Sequence, residues 1–340
     1  MRKYSKSSKF YLHTKNELFT KNDVLLEKSL TQNKLYRIQP QRVYCKLCQS
    51  RLPPNIDFTS HGIDYIFCEA CSHMNGSFDD TKVFVENLYI DQDGENYAKN
   101  YFDKNFLKRT EDIYVPKVDF LLDSLPPNKY KILDIGCGSG YFVAASLMRH
   151  LESVGLDVSK TQVDFGNDQI FREFNKTPLL HVNEGSFFES IVETNADVIS
   201  AIGVIEHLRE PHNVFRAFRK SQAEYIFYSV PMFSLSVILE NIFTGIFPRQ
   251  LSGGHTHLFT EDSINKMNEL LGVRSIAEWR FGTDSMDLYR HILISLQANN
   301  SSPKMIDFFT AGFDSNIDKI QKIFDKSHFC SEIHLVASKR

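Results

Sequence analysis

No apolar run in the 340-residue chain approaches the ~20 residues needed to cross a bilayer, so no transmembrane helix is expected. The N-terminus carries charges but no apolar core segment, which sets aside a secretory signal. The six cysteines are not spaced like the disulfide framework of a small secreted protein, and a cytoplasmic chain is expected. Internal repeats and low-complexity tracts are also lacking, which excludes a solenoid. Charge of one sign is lacking overall, since the net charge is −3, but it is unevenly spread. Residues 1–51 hold twelve Lys/Arg against three Asp/Glu, and the rest of the chain is acidic. A basic arm of this kind suits nucleic acid, anionic lipid or an acidic partner, or is simply a solvated, poorly ordered leader. The length allows one large or two modest domains with a sizeable core.

The most informative stretch is Lys131-Ile-Leu-Asp-Ile-Gly-Cys-Gly-Ser-Gly-Tyr-Phe142. Ile132, Leu133 and Ile135 form the short apolar run of a buried parallel strand. Gly136, Gly138 and Gly140 follow at every second position, where the missing Cβ allows a tight bend and close approach to a ligand. A helix is expected over Tyr141 to His150. Its N-terminus offers free N–H groups to a carboxylate or phosphate. Val154-Gly-Leu-Asp-Val-Ser159 reads as the next strand, with Asp157 at its tip, 21 residues after Gly136. An acidic residue there is placed to accept hydrogen bonds from a ribose diol. The dinucleotide fingerprint G-x-G-x-x-G is not met, because Tyr141 stands where its third glycine belongs.

Leu133-Asp-Ile-Gly-Cys-Gly-Ser-Gly140 resembles the first motif of class I S-adenosylmethionine (SAM) methyltransferases. Ala196-Asp-Val-Ile-Ser-Ala-Ile-Gly-Val-Ile-Glu-His-Leu208 resembles the fourth, in the form where Glu-His follows the strand. The resemblance spans about residues 129–340. It implies that Asp134, Gly136, Cys137, Gly138, Ser139 and Gly140 hold the methionine part of SAM. It implies that Asp157 with Val158 takes the ribose, and that Ser186, Phe187 and Ile202 flank the rest. Asn183-Glu-Gly-Ser-Phe-Phe188 is read as the loop beside the adenine, with Glu184 a further candidate. Glu206 and His207 are placed at the reacting centre.

Cys45-Lys-Leu-Cys48 and Cys68-Glu-Ala-Cys71, separated by 19 residues, have the spacing of a closed four-thiolate zinc site. Such a site is structural, since no coordination position stays open. His73 is a weaker substitute ligand. A zinc ribbon joined to the Glu-His form of the fourth motif and to Gly254-His-Thr-His-Leu-Phe-Thr260 resembles a narrower group. That group comprises bacterial sugar, polysaccharide and natural-product methyltransferases, including sugar C-methyltransferases.

From Lys129 the alternation of strands and helices indicates a doubly wound α/β sheet, Rossmann-like, with seven strands and the last one antiparallel by resemblance. The expected division is a basic arm over 1–40, a zinc ribbon over 41–78, a helical connector over 79–128 and a methyltransferase domain over 129–340. Within the last, 232–258 reads as a lid insertion and 283–330 as a helical one. A short strand is expected over Tyr36 to Val43, and Asp91–Gly94 reads as a loop. Tyr97, Tyr101 and Phe102 are expected on one helical face, either in the core or over the cofactor. His255 and His257 should fall on one side of an extended segment. For His255 a base or substrate-binding role is expected ahead of metal binding, because two ligands are too few.

The reading that results is methyl transfer from SAM to an O- or C-nucleophile of a small molecule, a sugar or glycan precursor, with Zn2+ structural. His207, Glu206 and His255 are the candidate catalytic groups. The alternatives are a zinc-module RNA methyltransferase and a non-enzymatic scaffold.

Overall fold

The computed structural model describes residues 1–7, 17–89, 105–251 and 255–340. The expected loop at 91–94, the aromatic residues Tyr97, Tyr101 and Phe102, and the stretch 252–254 lie outside them. In chain order the strands are β1 (Arg2–Tyr4), β2 (Phe58–Ser60), β3 (Ile63–Phe67), β4 (Met74–Gly76), β5 (Lys131–Ile135), β6 (Glu152–Asp157), β7 (Leu179–His181), β8 (Val198–Ile202), β9 (Tyr225–Pro231), β10 (His257–Leu258), β11 (Val273–Phe281) and β12 (Glu332–Lys339). They form an eight-stranded sheet in the order β1-β11-β12-β9-β8-β5-β6-β7 and a four-stranded sheet in the order β10-β4-β3-β2.

In the large sheet β5 to β9 run parallel, while β12 is antiparallel to both β9 and β11. This is a doubly wound, mostly parallel α/β arrangement. Side chains alternate across it. Leu133 and Ile135 face one core, with Phe215 and Phe218 of the helix Pro211–Lys220 and Ile264 and Met267 of the helix Glu261–Leu271. Ile132 faces the other, with Val118 and Phe120 of the helix Val115–Ser124 and Phe142 of the helix Tyr141–Met148. The chain leaves β5 for β6 on one side and returns to β8 on the other. A crevice therefore opens beyond the C-terminal ends of β5 and β8, where ligands of such sheets bind.

Several helix ends follow from local chemistry. Thr260 and Ser263 form a reciprocal cap on Glu261–Leu271, and Gly272 ends that helix in the left-handed region. Asn183, expected in a loop, accepts a hydrogen bond from the Ser186 amide and starts a helix over Glu184–Val192. The supposed adenine loop is therefore mostly the first turn of a helix.

The basic arm is not a loose leader in its described parts. Arg2–Tyr4 adds an eighth strand, parallel to β11, where seven were expected. Asn22–Arg37 is a sixteen-residue helix that runs through the start of the strand expected at Tyr36. The helix buries Ser29, Asn33 and Tyr36. The Asn33 amide donates to the His61 carbonyl at 3.0 Å, and the Tyr36 hydroxyl to that of Phe78. Beyond it, Gln41 and Tyr44 make only isolated bridges, to Phe78 and Arg51.

The cysteine-bearing segment shares its interior with the large domain. Cys45, Leu47, Cys68 and Cys71 lie in the same cluster as Phe215 and Ile264. Its sheet is completed by β10, which comes from the segment expected as a lid and pairs antiparallel with β4.

Trp279, the sole tryptophan, is 2% exposed on β11 and packs against Phe120, Phe281 and His334. Its indole N–H donates to the Ser5 carbonyl at 3.0 Å, and the Lys3 ammonium lies 3.9 Å above its ring. Trp279→Ala should cost about 3–5 kcal/mol, read as a lower urea midpoint in circular dichroism. An unchanged midpoint would mean that the β1–β11 edge contributes nothing.

Candidate functional site

Gly136, Gly138 and Gly140 have φ of 63°, 53° and 73°, the left-handed region that a Cβ disfavours. At Gly136 space is also decisive, since a Cβ there would lie 2.7 Å from Val204. The bend brings the Gly138 N–H to Asp157. That carboxylate accepts from Gly138 at 2.7 Å and from the Ser159 N–H at 2.8 Å. The tip of β6 and the glycine bend are thus bonded to each other. Burial raises the Asp157 pKa, and the backbone donors partly oppose it. Asp134 is buried one strand away and accepts from the Ser200 hydroxyl at 2.7 Å. Burial pushes its pKa to about 7, with the Asp157 charge adding to the rise.

The bend forms one wall of a cavity of about 940 Å³. Asp134, Gly136, Cys137, Gly138, Ser139, Asp157, Val158, Phe187 and Ile202 all line it. Gly140 and Ser186 do not. Gly140 faces inward instead, where a Cβ would meet Leu179 at 2.6 Å, and it serves the packing of the helix it precedes. The Ser186 hydroxyl donates back to the Asn183 carbonyl at 3.2 Å. Asn183 itself lines the cavity, as do His181 and Val182 from the end of β7.

The opposite wall holds Glu206, His207 and His255. Glu206 and His207 sit on a 3₁₀ turn, Ile205–His207, that follows β8 directly. His255 arrives from the segment between β9 and β10, and its ring stacks on that of His207 with centroids 5.2 Å apart. His255 and His257 do not act together. His257 turns away into the interior, where its Nδ1 lies 2.8 Å from His73 Nε2. Burial keeps both of those rings neutral, with His73 lowered to about 3. Glu206 is 5% exposed, and burial raises its pKa to about 8.

Sequence reasoning missed the polar groups that complete this wall. Arg249 and Gln250 line it, with Arg209, Glu210 and Asn213. Arg249 is held by Asp287 through two donors at 3.1 and 2.8 Å. Asp287 is itself pinned by the Ser236 hydroxyl at 2.8 Å and faces Arg290. Asp284, Asp287 and Arg290 stood in the sequence without a role. A charged triplet on one helix, with two acids three residues apart, was the only signal.

The four cysteines of the two C-x₂-C turns converge, with all sulfurs within 4.8 Å of one another. Cys45 and Cys71 are 3.8 Å apart, and Cys48 and Cys68 3.5 Å. The two turns match. In each, the residue after the second cysteine, Gln49 or Ser72, is left-handed, and its N–H bonds the carbonyl of the first cysteine. Four thiolates about one ion with bonds of about 2.3 Å would sit about 3.8 Å apart. The residues therefore fit a tetrahedral metal, and His73 takes no part.

Residues 133–223 match the family described as "Methyltransferase domain". A search of curated proteins gives no match. Similar solved structures include magnesium protoporphyrin IX methyltransferase from Synechocystis PCC 6803, with 14% identity, 76% of this chain and 100% of that one covered, and a TM-score of 0.48. A SAM-dependent methyltransferase from Archaeoglobus fulgidus has 18% identity, with 70% and 100% covered and a TM-score of 0.42. The cyclopropane synthase MmaA2 from Mycobacterium tuberculosis has 18% identity, with 67% and 85% covered and a TM-score of 0.42. At these identities and scores the likenesses decide nothing about substrate. The domain match covers both the glycine bend and Asp157, so residues 133–223 form a methyltransferase domain.

A carboxyl whose folded pKa is raised stabilises the fold below its unfolded pKa, near 3.9. That stability is lost as pH rises through the folded value. For Asp134 the folded value is about 7. The melting temperature of the ligand-free protein should thus fall between pH 5 and 8. Asp134→Asn should flatten part of that fall, and an identical slope in the variant would refute the assignment.

Proposed function

We propose that this enzyme moves the methyl of SAM to an oxygen or carbon of a small, hydroxyl-rich acceptor, with a sugar or glycan precursor the best fit. The observation that carries the reading is a single cavity with two unlike walls. One wall is the glycine bend bonded to Asp157; the other is the cluster of Glu206, His207 and His255. SAM supplies an activated methyl. The bend and Asp134 take its methionine end, Asp157 its ribose, and Val158, Asn183 and Phe187 its base.

The acceptor atom attacks the methyl carbon as the carbon–sulfur bond breaks. With SAM bound, the electron pair would go to sulfur to leave S-adenosylhomocysteine, and Glu206, His207 and His255 stand on the side where the acceptor's proton would leave. Holding the two reactants in line removes roughly 7–11 kcal/mol of barrier. A positioned proton-handling group adds about 10²–10⁴-fold. The cavity is at the upper end of ordinary ligand sites, about 300–1,000 Å³, so cofactor and acceptor fit together. Arg209, Glu210, Asn213 and Gln250 give the acceptor side the hydrogen-bonding character that hydroxyls require.

The cysteine cluster is read as a structural zinc site. An RNA acceptor is less favoured. Arg2, Arg42 and Lys46 of the basic stretch pair internally with Glu278, Asp79 and Asp80, and two of the three are buried.

His207→Ala should lower turnover by about 10²–10⁴-fold and leave SAM affinity nearly intact in calorimetry. Equal loss of both would make the residue structural. Elemental analysis of protein from metal-supplemented cells should find one zinc held by the cysteines. Cys68→Ser should lose that zinc and much of the folded protein. Retention of full zinc by the variant would refute the site.

A further inference from the structure

We propose that Glu206, His207 and His255 bind a divalent first-row cation that receives the acceptor's oxygens. This rests on the reading that their wall is the acceptor side, and deepens it by naming how the cluster works.

One carboxylate and two imidazoles converge there, with their ligand atoms all within 4.8 Å of one another. Glu206 Oε1 lies 3.9 Å from His207 Nε2. That is beyond a hydrogen bond, which for a working acid–base pair is about 2.6–3.2 Å. Two ligands of one ion, each about 2.0–2.2 Å from it, are at most about 4.3 Å apart. At angles of about 90–120° such ligands lie about 3.0–3.7 Å apart, so the trio encloses an ion once its atoms draw in by about 1 Å.

Two further observations point to a ligand. The second carboxylate oxygen, Glu206 Oε2, is buried without a hydrogen-bond partner. A buried acceptor of this kind is costly unless something positive meets it. His255 Nδ1 lies 3.0 Å from the Gln250 carbonyl, which can only accept. The proton is therefore on Nδ1, which makes Nε2 the electron-pair donor of the ring. This is the backbone-oriented tautomer characteristic of metal-binding histidines.

The donor set favours Mn2+, Fe2+, Co2+ or Zn2+ over Mg2+, because imidazole suits the transition ions and Mg2+ prefers all-oxygen shells. Three protein ligands leave positions open toward the cavity. An acceptor with two adjacent oxygens, such as a vicinal diol or a hydroxy-carbonyl, would occupy them. The ion would favour loss of the proton from the bound hydroxyl to solvent in the open cavity, since its three ligands are then occupied. The resulting alkoxide would attack the methyl carbon as the carbon–sulfur bond breaks with its electron pair going to sulfur. The arrangement selects for a chelating acceptor over an isolated amine.

The test uses the full chain with its cysteine site loaded with Zn2+. Mn2+ binding is followed by electron paramagnetic resonance and Co2+ binding by visible absorption. SAM affinity is measured in the same samples by calorimetry. One further equivalent of either ion should bind, and Glu206→Gln, His207→Ala and His255→Ala should each weaken it at least tenfold while the Zn2+ stays. Failure of both ions to bind by about 1 mM, or equal binding by all three variants, overturns the inference. If SAM binds but no second ion does, the methyl-transfer reading stands and this one falls. If SAM does not bind to the wild type, the methyl-transfer reading itself falls. SAM binding by the variants, unchanged from wild type, shows that lost cation binding is not lost folding.

Discussion

Everything at the site depends on one hydrogen-bonded junction, the Asp157 carboxylate held by the N–H groups of Gly138 and Ser159. It ties the end of one parallel strand to the bend after its neighbour. Each part needs the other. Without left-handed glycines the Gly138 N–H would not face Asp157, and without the carboxylate the bend would present a buried donor to nothing. The junction sits beside the crevice, where the connections after β5 and β8 leave for opposite sides of the sheet. From it the cavity extends over the tip of β8 to Glu206 and His207. The two walls of the cavity are thus set by the ends of neighbouring strands.

Charge inside this wall is layered. Glu206 and Asp134 are carboxyls held toward the neutral form by burial. Behind the acceptor side, Arg249 is locked by Asp287, and Asp287 by Ser236. Asp284 accepts from Ser234, Ser236 and the Ser331 N–H. This satisfied polar network joins the helix Asp284–Ala298 to the segment after β9, which carries Arg249 and Gln250. The bonds of this network join residues 38 to 51 positions apart, so the Arg249 side of the cavity is set by residues far along the chain.

What the sequence made legible had a short period or a fixed spacing. The run Ile132-Leu-Asp-Ile135, the alternating glycines, Asp157 at a strand tip and the two C-x₂-C turns are local patterns, and their geometry is local too. The helix Asn22–Arg37 was hidden because its buried face is Ser29, Asn33 and Tyr36. Asn33 and Tyr36 hold that face by hydrogen bonds, and it carries no apolar stripe. β1 is only Arg-Lys-Tyr, with no pattern of its own, and the exposed edge of β11 decides its pairing. The turn at Asn183 was read as a loop because the cap was taken for loop polarity. Glu206 and His207 were visible as neighbours. The arrival of His255 beside them depends on a connection after β9 that returns to β4, and no local rule encodes that return.

That return has a consequence for the order in which the protein is made. The cysteines are synthesised first, and once Cys71 is clear of the ribosome all four thiolates are available to an ion. The last strand of their sheet, β10, is supplied only at residues 257–258, and β4 remains an open edge until then. The same strand follows His255 by two positions. The N-terminal module is thus left unfinished while β5 to β9 of the large sheet are translated, and the pairing that finally seals it also delivers an imidazole to the cavity.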